Sequence, residues 1–496
     1  MLSHRAELEA AFHPGAIAVV GASDDPVSFG HQFVRHLLDY RYPGRIYPVN
    51  PSKQVILGLR AYPGLSSIPE PVDYAIFCVP ASKIPALLDE CPGRGVRMVH
   101  IFSGRLSETN RQEAKALEAE ILQRARKLNI RLIGPNCMGV YYPRGGIAFA
   151  EDMPDEPGEI GGLFQSGGLA TMFARYGGLQ GLRFSKIISY GNAVDLDESD
   201  FLDYLAHDDE TSIIAAYVEG VRDGRKFLQS LVDAAYAKPV IIIKGGRDAA
   251  GTKAAASHTA AIAGSDRIWR TAFRQGGVIQ AQDLDELVNL SVAFSFLPSI
   301  KGKRVGIIGG GGGRSVLSAD ACEEAGLVLP PIPPEIVQEL RIRAPELQGW
   351  LGNPVDVSIV AGTSIGAGKI LRMAARSHSF DFIIVNITDD APLPRDIWSN
   401  MVRKETENIL NVSKEGLKPL LAVVSGGQFC GQSKDWRWAL LAEQRARLVA
   451  ARVPTYSTVA EAARTIRQFI DYCGRDSDVS HRDHGVMNNL TGEVAR

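Results

Sequence analysis

The 496-residue sequence is short of charge imbalance, of paired cysteines and of long apolar runs, and each shortage argues against a class of function. Lysine and arginine number 54 against 56 aspartates and glutamates, for a formal charge of −2. That balance argues against a surface built for nucleic acid or for an acidic membrane. The six cysteines (Cys78, Cys91, Cys137, Cys322, Cys430, Cys473) are scattered and form no CxxC pair. Neither a zinc site nor a disulfide framework fits that spacing, and a reducing compartment does. No apolar run approaches the roughly 20 residues that span a bilayer. The opening "MLSHRAELEAAFHPG" lacks the apolar centre of a signal peptide. The expected location is therefore cytoplasmic, with no membrane and no nucleic acid as partner.

What the chain does have is glycine, 50 residues of it, placed after apolar runs. Three stretches share one form: "AIAVVGAS" (16–23), "IGGLFQSGG" (160–168) and "KRVGIIGGGGGRS" (303–315). Each predicts a buried parallel strand, a tight turn and a helix that starts on small residues. Further strands are predicted at "DYAIFCVP" (73–80), "KPVIIIKGG" (238–246) and "FDFIIVNIT" (380–388). The fold class expected is α/β, with three parallel-sheet domains in series. Boundaries are expected near 150 and 300, with "LPSIKGK" (297–303) as a linker. A polar, aperiodic tail over 476–496 is expected to be disordered.

"VVGASDDPVSFG" has the form of a turn whose backbone N–H groups hold a phosphate at a helix start. A reader of NAD would carry an Asp or Glu at the end of the second strand, to grip the ribose hydroxyls. Here that strand, "RIYPVNPSK" (45–53), ends in Asn50, Pro51 and Lys53. A lysine offers no carboxylate to a ribose and attracts phosphate instead. This disfavours an NAD-dependent oxidoreductase and favours a ligand richer in phosphate, such as coenzyme A.

"AVVGAS", "YPVNP", "VPAS" (79–82) and "GPNCMG" (134–139), in that order, resemble the CoA-binding domain of the succinyl-CoA synthetase superfamily. The resemblance is to the α part of NDP-forming acyl-CoA synthetases, the branch of ADP-forming acetyl-CoA synthetase. It implies a Rossmann-like CoA-binding domain at 1–150. A succinyl-CoA ligase-like domain at 151–300 and a second flavodoxin-type ligase domain at 301–475 would follow. It also implies that Gly21, Ala22 and Ser23 line the CoA phosphates, with Asn50 beside them and Lys53 neutralising them. Val79 and Pro80 would flank the nucleotide, and Asn136 and Cys137 would lie near the thiol end. Cys137 invites a thioester role; a small buried residue in a turn is the stronger reading.

The second unit continues the resemblance with "QSGGLA" (165–170), "SYGNAVDLDESDFLDYLAHDDET" (189–211), "YVEGVRDGRKF" (217–227) and "KAAASHTAAIAGSD" (253–266). His258 takes the place of the family's phosphorylated histidine. An imidazole that accepts a phosphoryl group at one site and donates it at another has to travel. A loop of Ala, Ser, Thr and Gly sets few packing constraints on that motion. Neutral imidazole, with a pKa of about 6.5, is a competent nucleophile near pH 7. Glu219 matches the glutamate that holds the other ring nitrogen. Ser166, Gly167 and Gly168 would offer backbone donors at a helix start to an acyl phosphate or phosphohistidine. Two departures stand out: Ala260 replaces the usual glycine after "SHT", and "IFSGRLSE" (101–108) differs from the family's "SAGFSE" and carries Arg105.

The five glycines at 309–313 lack the GK[ST] of a P-loop and are read as a backbone-close packing or docking surface. No stretch resembles an ATP-grasp module. The resemblance therefore implies an α subunit that turns a small carboxylic acid, CoA and ATP into acyl-CoA, ADP and phosphate. ATP, ADP and Mg would be handled with a separate ATP-grasp β subunit, in an α₂β₂ assembly. The competing reading is a non-catalytic CoA-binding regulatory or scaffold protein on the same fold; the paired presence of Glu219 and His258 argues against it.

Overall fold

The computed structural model describes residues 7–9, 11–248, 250, 251, 253, 266–347, 349–360, 365–387, 389, 391–425 and 436–479. Among these, the predicted strand–turn–helix openings fold as three separate, mostly parallel sheets. The first sheet contains β1 (Ala16–Val20), β2 (Arg45–Val49), β5 (Tyr74–Phe77), β6 (Met98–Ile101) and β7 (Arg131–Ile133). Its order is β2-β1-β5-β6-β7, with every pairing parallel. A small antiparallel hairpin, β3 (Val55–Ile56) and β4 (Leu59–Arg60), lies outside it. Helices α1 (Phe29–Asp39), α2 (Ile84–Glu90) and α3 (Gln112–Lys127) make the crossovers. β1, β5 and β6 are buried along their whole length, which is why they read as unbroken apolar runs.

The second sheet has the order β13-β12-β11-β9-β10-β8. Its parallel strands are β9 (Pro157–Phe164), β10 (Phe184–Ser189), β11 (Ile213–Val218), β12 (Val240–Lys244) and β13 (Ile279–Ala281). At its edge, β8 (Gly139–Tyr141) pairs antiparallel with β10. Around it lie α4 (Gly167–Leu179), α5 (Glu198–His207), α6 (Gly224–Ala237), α7 (Asp266–Gln275) and α8 (Leu284–Phe296). Starts are well specified: Asp197 and Asp200 form a reciprocal capping box on α5, and the Asp223 carboxylate accepts from two N–H groups of α6.

Residues 297–303 carry neither helix nor strand. The chain divides into two compact units, one through Ser291 with the first two sheets and one from Val292. The second unit holds a parallel sheet of β14 (Val305–Gly309), β15 (Phe382–Asn386), β16 (Leu420–Val423) and β17 (Thr455–Tyr456), in that order. Its helices include α9 (Gly312–Glu324), α10 (Pro334–Arg343), α11 (Ala367–Arg376), α12 (Arg395–Lys414), α13 (Trp436–Ala450) and α14 (Val459–Val479). Two apolar cores fill it, one around Trp398 and the other around Phe382 and Tyr456. Helix α14 continues to Val479, so the first four residues of the expected tail are helical. Residues 480–496 lie outside the described residues.

Candidate functional site

The turn after β1 is fixed by sterics. Gly21 has φ +88, and a Cβ there would run into the Cys78 carbonyl; a Cβ on Gly30 of α1 would run into the Gly21 carbonyl. Backbone bonds lock the turn to its neighbours: Gly21 N–H donates to Val49 O at 3.0 Å, and Cys78 N–H to Val20 O at 2.8 Å. Asn50 braces the turn, its Nδ2 donating to Ala22 O at 2.7 Å while its Oδ1 accepts from Ser52 N–H at 2.8 Å. Ser23 Oγ accepts from Asp25 N–H at 3.0 Å. Lys53 Nζ lies 3.0 Å from Asp24 Oδ2, with both side chains about half exposed. The cation expected to face phosphates therefore stands at the turn and is shared with an acidic neighbour.

Val79 and Pro80 follow β5, the Val79 side chain lies against Gly21, and Ser103 Oγ donates to the Val79 carbonyl. Asn136, at φ +60, follows β7; its N–H donates to Ser103 O at 3.2 Å and its Nδ2 to Asn192 Oδ1 at 3.4 Å. The structure thus brings Gly21, Ala22, Ser23, Asn50, Lys53, Val79, Pro80 and Asn136 to the carboxyl ends of one parallel sheet, where such folds hold ligands. Cys137 is 3% exposed, with its thiol directed at Ile101 O at 3.8 Å. Burial pushes that thiol far above its ordinary range, which disfavours the thiolate and suits a small packed residue in a turn.

The second cluster adjoins the first. Ser166 caps α4, its Oγ accepting from Leu169 N–H at 3.4 Å, so this acceptor is already used by the helix. A Cβ on Gly167 would sit 2.6 Å from the Met138 side chain, while Gly168 is exposed at the helix start. Glu219 follows β11 and is held at three points. Its N–H donates to Gln165 Oε1 at 2.7 Å, its carboxylate accepts from Tyr217 OH at 3.1 Å, and its carbonyl accepts from Lys244 Nζ at 2.7 Å. Burial, with the Glu219 carboxylate close by, pushes the Tyr217 phenol upward, so it remains a donor. His258 lies outside the described residues.

A polar network runs between the two clusters. Asn192 Nδ2 donates to Glu108 Oε2 at 2.8 Å and to Glu118 Oε2 at 3.1 Å, and Ser107 Oγ donates to the same Glu118 oxygen at 2.7 Å. Arg222 in turn donates to Asn192 O at 3.0 Å. The divergent "SGRLSE" segment is part of this network: Glu108 accepts from the Arg105 and Leu106 N–H groups, and Arg105 has φ +67. In the second unit, a Cβ on Gly309 would run into the Asn386 carbonyl, whereas a Cβ on Gly311 or Gly313 would meet open space, so close packing is confined to the start of the glycine run. A cavity of about 250 Å³ lies nearby, lined by Arg314, Asn386, Ser425, Ser457 and Thr458 among others.

Three family models match in series: a CoA-binding domain over 15–143, a succinyl-CoA ligase-like flavodoxin domain over 157–294 and a ligase-CoA domain over 305–421. The α subunit of ADP-forming acetate–CoA ligase I from Pyrococcus furiosus is 35% identical over 427 residues, covering 85% of this chain and 90% of that subunit. The chain belongs to the NDP-forming acyl-CoA synthetase α family. ADP-forming acetate–CoA ligase I of Archaeoglobus fulgidus is 36% identical over 388 residues, 78% of this chain but 56% of that longer protein. Among solved structures, dinucleotide-forming acetyl-coenzyme A synthetase 1 of Ca. Korarchaeum cryptofilum, in complex with phosphate and ADP, superposes with a TM-score of 0.78. It shares 29% identity, and the match covers 96% of this chain and 99% of that one.

For this member of the acyl-CoA synthetase α family, sequence reading missed Gln165, Tyr217, Lys244 and Asn192, all of which hold candidate residues in place. Two signals were legible. Tyr217, on β11, stands two residues before Glu219, a spacing that directs both side chains to the same side where the strand ends. Lys244 is a cation closing a buried apolar strand, "VIIIK", an environment that lysine rarely enters without a partner.

Proposed function

We propose that the chain is the α subunit of an NDP-forming acyl-CoA synthetase, converting a carboxylate, CoA and ATP to acyl-CoA, ADP and phosphate. In the first step the His258 imidazole attacks the γ-phosphorus of ATP and ADP leaves. A carboxylate oxygen then attacks the phosphohistidine, forming an acyl phosphate and freeing the imidazole. Finally the CoA thiolate attacks the acyl carbon and phosphate departs. Glu219 orients the imidazole. Ser166, Gly167 and Gly168 receive the phosphoryl or acyl phosphate at the start of α4. Gly21, Ala22, Ser23, Asn50, Lys53, Val79, Pro80 and Asn136 hold CoA, and Cys137 packs beneath its thiol end.

One observation carries this reading: Glu219 is fixed through its N–H, its carbonyl and its carboxylate beside the start of α4. A carboxylate so restrained suits a partner that must find it again after each excursion, and a mere CoA scaffold has no use for it. Mg-nucleotide binding is assigned to a separate ATP-grasp subunit, in an α₂β₂ assembly in the cytoplasm. The Archaeoglobus relative, which extends well beyond the matched 56% of its length, supports a second module. Purified chain given ATP, acetate and CoA is expected to make no acetyl-CoA until an ATP-grasp subunit is added, and then to release ADP and phosphate. Release of AMP and pyrophosphate, or full activity of the chain by itself, would refute the assignment.

A further inference from the structure

Lys244 is the last residue of β12 and is 2% exposed. Its Nζ donates to the Glu219 carbonyl at 2.7 Å and to the Gly245 carbonyl, and it lies 4.9 Å from the centre of the Trp269 ring. Taking an ammonium out of water is costly, and two carbonyl bonds could be made by an uncharged donor. Contact with the Trp269 ring offsets only part of that cost at a strand end packed among isoleucines. The charge acts on the carboxylates within its field, that of Glu219 first and that of Asp266 second.

We propose that Lys244 is a positioning residue for Glu219: it ties down the Glu219 main chain and places a positive charge within reach of its carboxylate. The proposal rests on the reading of Glu219 as the partner of His258. During phosphoryl transfer the imidazole changes charge, and a carboxylate free to swing toward solvent would lose its aim. Misplacement of a reacting group by about 1 Å costs on the order of 100-fold in rate. Asp266 on α7 also faces the ammonium and adds to its hold, while Arg247, in the turn after β12, opposes it. Tyr217, which donates to Glu219, borders the same site through Gly245.

The charge has a finite pH range. Burial pushes the Lys244 ammonium down to about 8, with the Glu219 carboxylate opposing the shift. The cation is therefore present below that value and is lost as pH rises through it. Phosphorylation of His258 should show a basic limb near pH 8.

The test measures the rate of phosphohistidine formation from acetyl-CoA and labelled phosphate, from pH 6.5 to 9.5, in full-length wild type, Lys244→Gln and Lys244→Arg. The glutamine amide, one bond shorter, keeps an N–H donor at the strand end but has no charge. It is expected to lose roughly 10- to 100-fold in rate and to lack the basic limb, while melting near the wild-type temperature. Arginine keeps its charge throughout this range and is expected to restore rate and to move the limb above pH 9. A glutamine variant with wild-type rate and limb would overturn the proposal, and so would an arginine variant whose limb stays at 8. Absence of label on His258 in the wild type would instead overturn the phosphohistidine reading, and this proposal with it.

Discussion

At the scale of single residues, burial sets the chemistry more than sequence neighbours do. Glu198, the first residue of α5, is 1% exposed, and its Oε1 has no hydrogen-bond partner among the described residues. Burial, reinforced by Asp197, pushes its carboxyl from 4.5 up to about 8. The fold therefore favours the protonated form. That contribution to stability is complete below pH 4.5 and is lost as pH rises through about 8. Within that window stability should fall with a slope of up to about 1.4 kcal/mol per pH unit for this one proton. Glu198→Gln should flatten the dependence and raise the melting temperature at pH 8, as scanning calorimetry would read. An unchanged slope in the variant would contradict the assignment. In the sequence, "DLDESDFL" shows five acidic or hydroxyl side chains in a row of eight and gives no sign of which is buried. The same limit hid Gln165, whose role comes from the Glu219 and Gly220 N–H groups that it meets across neighbouring strands.

At the scale of elements, the strand–turn–helix unit of β1 and α1 was legible because glycine marks both ends of its tightest contact, Gly21 against Cys78 and Gly30 against Gly21. Charge in the turn was legible only in part. Lys53 was seen as a phosphate partner, and its pairing with Asp24 at 3.0 Å was not, because 29 residues separate them. This pairing gives the turn a testable property. If phosphates of CoA compete with Asp24 for Lys53, Lys53→Ala should raise the KM for CoA several-fold and leave phosphorylation of His258 by ATP nearly intact. Asp24→Asn should shift that KM the other way, and the difference should shrink as salt rises. Equal binding of NAD and CoA in isothermal titration would revive the oxidoreductase reading. The short edge strand β8 escaped sequence reading: "GVY" is three residues long, follows a turn and has no period to display.

At the scale of the whole molecule, the fold class was legible because buried parallel strands of Val and Ile recur with glycine turns at their ends. Two sheets fall in one compact unit through Ser291, and Asn192 binds Glu108 and Glu118 between them; such long-range polar contacts leave no local pattern. The proposed division of labour follows from this arrangement: CoA, acyl phosphate and phosphohistidine chemistry on this chain, nucleotide chemistry on a partner. Its most direct test is to incubate purified chain, without partner, with acetyl-CoA and labelled phosphate and to map the label. The account predicts one acid-labile, base-stable phosphate on His258, none on the His258→Ala variant, and none from labelled ATP until an ATP-grasp subunit is present. Label that persists in His258→Ala, or that maps to a serine, would contradict it.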